Sequence, residues 1–229
     1  MPFNLKRILA LALLCSACAA ALAGAGEAAG GQSEKPALQQ SPKDRAKSFL
    51  ERQSALVCDY AKSRQKYLLA CSEFAAIFAK DEISKKFNSA AAELGRDAKA
   101  DIAKIALAVN SIFKDGECSA IFSPQNKELS PEALECCGRA LNMFWDSFAG
   151  LIEIANKIPS LASEAKEILK SAPKEEEKLR LTDAVEPTIA LGNQIVADLK
   201  SAKEVSAKLV KLAEELKLTA PKALSNFAK

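Results

Sequence analysis

The sequence predicts an all-α fold: an elongated, antiparallel up-down-up-down four-helix bundle. Three observations predict it. The chain is rich in alanine, leucine, lysine and glutamate and has only 9 glycines and 9 prolines in 229 residues. Helix-start signals stand at four well-separated places. An apolar stripe with steps of three and four residues follows each of them. Strong helix formers with few breakers favour helices, and no run alternates valine, threonine or tyrosine with polar residues as strands require.

The first element is a leader, residues 1–23. "MPFNLKRILALALLCSACAAALA" has a basic start at Lys6 and Arg7, an apolar run from Ile8, and then small residues. Ala21-Leu22-Ala23 fits the small-x-small pattern before a signal-peptidase cut. The run is short and alanine-rich for a membrane span, which needs roughly 20 strongly apolar residues. A second processing route competes with the first. Ser16-Ala17 before Cys18 resembles a degenerate lipoprotein box and makes Cys18 a candidate lipidation residue. The position three before it is Cys15 rather than an aliphatic residue, so cleavage near Ala23 is preferred. Residues 24–41 are small, polar and glycine-containing and read as a flexible tether.

The bundle domain is expected over residues 42–218, followed by a tail at 219–229. Ser41-Pro42-Lys43-Asp44 starts the first helix with a capping serine, a proline at the first helical position and an acid in the first turn. Its stripe is Phe49, Leu56, Tyr60, Tyr67, Cys71, Phe74 and Phe78. Asp81 opens the second helix after a break near Lys80, with Ile83, Phe87, Ala90, Leu94, Ala98, Ile102, Ile105, Val109 and Ile112, and Gly116 ends it. Ser130-Pro131-Glu132 repeats the Ser-Pro start for the third, with Leu134, Cys137, Leu141, Phe144, Phe148, Leu151 and Ala155. Pro173 and Glu175–Glu177 start the fourth, where acids suit the positive end of the helix dipole. Its stripe is Leu181, Ala184, Thr188, Ile195, Leu199, Ala202, Val205, Leu209 and Leu216.

One dry stripe per helix with short connections at Lys80 and Ala172 gives antiparallel neighbours. Helices of about 35–40 residues would be roughly 50–60 Å long. Pro159 and Pro187 each remove an amide donor and crowd the preceding turn, which predicts a kink or split at each. They lie at similar distances from the turn near Pro173. A concerted bend there and two independent kinks are both consistent with that placement. The one long connection, Asp115–Ser130, contains Ile121 and Phe122, which are expected to fold back onto the bundle end.

Charge and missing residues exclude several function classes. The formal charge of +3 falls to +1 without Lys6 and Arg7, and charges of both signs are interspersed. Nucleic-acid binding needs a concentrated cationic footprint, so none is expected. The chain has no histidine, so imidazole-dependent triads, haem and zinc sites have no ligand or base. It also has no phosphate-binding glycine loop, no nucleophile elbow and, beyond Cys15-Ser16-Ala17-Cys18 in the leader, no Cys-x-x-Cys. Nearly all carboxylates fall on the expected polar faces. Glu153 and Lys157 have ordinary i,i+4 surface spacing, worth a few tenths of a kcal/mol. No catalytic residue, metal site or cofactor is therefore assigned.

Five cysteines remain beyond the leader: Cys58, Cys71, Cys118, Cys136 and Cys137. In an oxidising compartment cysteines tend to pair. Adjacent helical residues point about 100° apart, which puts Cys137 on the core stripe and Cys136 on its flank. Cys118, in the long connection, is the expected partner of one of them. Such a bridge would stabilise by roughly 3 kcal/mol on chain-entropy grounds. Cys58 is a further disulfide candidate for the remaining member, although a register offset of roughly 15 Å opposes that pairing. The function expected is a non-enzymatic exported helical bundle in the bacterial periplasm or envelope, lipid-anchored or secreted, that binds an unidentified protein or envelope partner. Membrane association would follow only from lipidation. The alternative is a bundle that binds a small ligand or a soft metal through its core cysteines.

Overall fold

The structure is a computed structural model that describes residues 42–78, 81–96, 102–113, 121, 129–171 and 175–228. Every regular element among them is helical: α1 Pro42–Phe78, α2 Asp81–Arg96, α3 Ile102–Phe113, α4 Pro131–Ser171, α5 Glu175–Glu215 and α6 Lys222–Ala228. The leader, the tether and Cys18 lie outside the described residues, as do Cys118, Phe122 and Gly116.

Helix starts fall where the sequence placed them. The Ser130 hydroxyl accepts the Ala133 amide at 3.2 Å, and the Ser130 carbonyl accepts the Leu134 amide at 3.0 Å. These are the two bonds of an N-cap. Glu132, in the same first turn, has its carboxyl held below the usual range by its own backbone amide and by the Ser130 side chain.

Two elements differ from expectation. The stretch expected as one second helix contains two, α2 and α3, and these contact each other. The expected tail carries α6, which buries Leu224 and Phe227. The turn before it is a Schellman motif: Leu218 N–H bonds Ala213 C=O at 2.8 Å and Lys217 N–H bonds Glu214 C=O at 3.1 Å. Lys217 takes the left-handed position, with φ of 55°, that glycine usually fills.

The chain divides into two compact units. One comprises Leu56–Ile154 and Ala197–Lys229; the described part of the other is residues 42–55 with Ala155–Val196. The core of the first unit is aromatic. Tyr67 meets Phe144 edge-on at 5.5 Å, Phe74 lies 5.5 Å from Phe144, and Phe148 lies 6.0 Å from both Tyr67 and Phe227. Trp145 closes on Phe227 at 6.4 Å. Such pairs add about 0.5–1.5 kcal/mol each beyond the area they bury. Ile121, from the long connection, is fully buried as expected.

The second unit is aliphatic. Ile158, Leu161, Ala165, Ile168, Val185, Leu191 and Ile195 are buried. The Gln53 amide donates to the Thr188 hydroxyl at 2.8 Å in its interior. Arg45 pairs with Glu167 and Arg52 with Glu164 at its surface. α4 runs on through Pro159 and α5 through Pro187, so neither proline splits its helix.

Candidate functional site

Two groups of reactive side chains stand out, both in the first unit. The first is a buried polar cluster. α1 supplies Tyr60, Arg64, Tyr67 and Cys71 at steps of four, three and four, which align them along one face of the helix. α5 supplies Asp198. The Tyr60 hydroxyl donates to Asp198 Oδ2 at 2.7 Å, and Arg64 Nε lies 3.6 Å from the same oxygen. The Arg64 guanidinium stacks on the Tyr67 ring, 4.7 Å from its centre. Arg64 Nε is buried without a hydrogen bond.

Taking two charges out of water costs several kcal/mol per ion. Mutual attraction, the Tyr60 bond and the cation–π contact offset that cost here. Burial holds the Tyr67 phenol well above its usual range; the nearby Cys71 and Asp198 add to the shift and Arg64 opposes it. A carboxylate beside a phenol could in principle move protons, but a general base must come within about 3 Å of the substrate atom it serves. Exposures of 0% for Tyr60, 6% for Arg64 and 5% for Asp198 leave this group no face open to a substrate. What the arrangement can do is fix register, because sliding α5 along α1 would leave two buried charges unpaired.

The second group is on α4. Cys137 is fully buried, and its thiol is pushed up to about 11 by burial, with the neighbouring Cys136 adding to the shift. Cys136 is half-buried. Arg139 donates to its sulfur through Nη2 at 2.8 Å and holds Glu135 through Nη1 at 3.2 Å. Core and flank are thus assigned as the helical spacing predicts.

The cysteine pairings fare differently. Among the described residues no two of Cys58, Cys71, Cys136 and Cys137 are joined, so the Cys58 bridge to the vicinal pair is absent. Cys58 is half-buried on the flank of α1. A bridge requires the two α-carbons to approach to about 4.4–6.8 Å. Cys118 lies outside the described residues.

Sequence reasoning missed Arg64 and Asp198, which it left among the solvated charges. The available signal was position: Arg64 falls between Tyr60 and Tyr67 on a dry stripe, and Asp198 directly precedes the core residue Leu199. Among the described residues no group of three Cys, Asp or Glu side chains is arranged to hold a metal ion. No helix among them is long and apolar enough to cross a membrane. No protein-family model matches the chain, and no curated protein or solved structure shows significant similarity to it.

Proposed function

We propose that this chain is a non-enzymatic exported helical-bundle protein that serves as a protein- or envelope-interaction module. The observation that carries this reading is the closed Tyr60–Asp198–Arg64 group. This buried acid–base group is committed to helix packing, at exposures of 6% or less. The export-type leader and the tether after it support placement in the periplasm or envelope, with Cys18 lipidation or cleavage near Ala23 as the two routes.

The architecture that goes with this reading is the up-down-up-down bundle, with α2 and α3 together forming its second member. Pro159 and Pro187 would bend α4 and α5, since each removes the amide that a carbonyl one turn earlier would accept. Helix axes running straight through both prolines in a crystal structure would overturn the bends.

Cell fractionation, with the mature N-terminus read by mass spectrometry on the same sample, tests the location. Recovery in the cytoplasm with Met1 intact would sink it. Saturable binding of the purified chain to a component isolated from envelope extract tests the interaction. The second reading, a soft-metal bundle, draws on the two fully buried thiols Cys71 and Cys137. Stoichiometric copper in the purified protein would place it first.

A further inference from the structure

We propose that α6 is an exchangeable arm: it leaves its seat on its own chain, docks in the same seat of a second copy, and so joins two chains in a reciprocal, domain-swapped dimer. Three features meet at this end of the first unit. They are a small anchor, a seat that fits it, and a strained hinge between the two.

The anchor is two side chains. α6 has only 7 residues and buries Leu224 and Phe227, one turn apart on a single face. The Phe227 ring packs 6.4 Å from Trp145 and 6.0 Å from Phe148, both on α4. A helix this short is marginal in water by itself, so its order comes from the seat. Every copy of the chain carries both the seat and the arm that fills it. A second copy is therefore the matching partner, since exchange rebuilds the contacts that the closed chain makes.

The hinge is residues 216–221, Leu-Lys-Leu-Thr-Ala-Pro. It contains neither glycine nor asparagine, the residues that tolerate a left-handed turn. Lys217 nevertheless holds φ at 55°, in the bend closed by Leu218 N–H on Ala213 C=O and Lys217 N–H on Glu214 C=O. Leucine, lysine and alanine are strong helix formers, so α5 relieves the strain by running on through Lys217. Pro221 stops that extension, because the residue before a proline is pushed out of the helical region. It also keeps α6 a separate unit: the Pro221 carbonyl accepts the Ser225 amide at 3.1 Å, which fixes the first turn of α6. Straightening the hinge carries α6 off its own α4 and frees it for another chain. Closed monomer and exchanged dimer then differ only at the hinge, and short hinges under strain favour exchange. This inference goes beyond the interaction reading above and does not depend on it.

The closed form wins in dilute solution, because a short linker presents the arm to its own seat at an effective concentration in the millimolar range. The test therefore holds the full chain, kept reduced, at about 1 mM just below its melting midpoint. The sample is cooled, diluted and passed through size exclusion with light scattering. A dimer peak that persists in the cold and reverts to monomer on dilute warming is the expected result. Lys217→Gly should lower the dimer fraction about tenfold, since relief of the closed turn counts at both hinges. Lys217→Ala keeps the strained turn and removes the charge, and should hold the dimer at the wild-type level or above. Circular dichroism confirms that each variant folds. Exchange itself is read with a photo-crosslinking benzoylphenylalanine in place of Phe227, in dimers formed from a mixture of ordinary and heavy-nitrogen chains. Cross-links to the Trp145 peptide should join light to heavy chains in the dimer peak and stay within one chain in the monomer peak. A chain that stays monomeric or only aggregates, a dimer whose cross-links remain within single chains, or a dimer fraction unchanged in Lys217→Gly would each overturn the proposal.

Discussion

Gly150 on α4 faces Ser63 on α1 so closely that a methyl group on its α-carbon would overlap the Ser63 hydroxyl oxygen and stand 3.4 Å from its β-carbon. Ser63 is itself buried, and its carbonyl accepts the Ser147 hydroxyl at 2.7 Å. The two helices are thus in near-backbone contact. Gly150→Ala should destabilise by about 1–3 kcal/mol through overpacking. Gly138, in the same helix, is open: a methyl group on its α-carbon would meet nothing within 4 Å. Gly138→Ala should therefore stabilise by about 0.5–1 kcal/mol. The double change Ser63→Ala, Gly150→Ala should recover most of the loss. Urea unfolding of these variants beside the wild type checks the contrast, and equal effects at the two glycines would contradict it.

The buried ion pair makes an asymmetric prediction. Asp198→Asn leaves the Arg64 charge without its counter-ion and should cost about 3–5 kcal/mol. Tyr60→Phe removes only the hydroxyl donor and should cost about 1.5–3 kcal/mol. Because both act on the same carboxylate, their effects should fall short of additivity in a double-mutant cycle measured by chemical denaturation.

Alkaline pH should loosen the first unit. Cys137 is pushed from 9.0 to about 11 in the folded chain, so the folded state holds this proton more tightly than the unfolded one. Its contribution is complete below the unfolded value and declines as pH rises from about 9 to about 11. Tyr67, also held above its usual range, extends the decline to higher pH. Cys137→Ala should flatten the first part of a stability–pH curve recorded by denaturant titration and leave the second part in place.

Lys217 adopts a left-handed conformation that costs an L-residue about 1–2 kcal/mol. Lys217→Gly should recover roughly 1 kcal/mol of that at the Schellman turn. A raised melting temperature is the expected readout, and Lys217→Val should lower it.

The dry stripes were legible because burial repeats with the helix period. Phe49, Leu56, Tyr60, Tyr67, Cys71 and Phe74 are all buried as their spacing predicts, and so are Cys137, Leu141, Phe144, Phe148 and Leu151 on the α4 stripe. Asp198 was not legible, because its burial depends on Tyr60, 138 positions away, and no local pattern encodes that meeting. α6 has only 7 residues, too few for a period to show. The separation of α2 from α3 had a signal in Gly95, Asp97 and Asp101, a breaker followed by capping residues, but the apolar steps on either side masked it. At the vicinal cysteines the helix geometry separated core from flank. The approach of Arg139 to Cys136, three residues on, is a rotamer choice that spacing permits without requiring.

The aromatic core has a spectroscopic corollary. The chain has 2 tyrosines and 1 tryptophan, and Tyr60, Tyr67 and Trp145 all belong to the unit built from 56–154 and 197–229. Near-ultraviolet circular dichroism and tryptophan emission therefore watch chiefly that unit, and the unit containing Pro159 and Pro187 is nearly silent except through its backbone. Heating the protein while recording both wavelength ranges should show helix signal lost without a matching aromatic change if the silent unit melts first. Coincident curves would mean that one cooperative transition spans both.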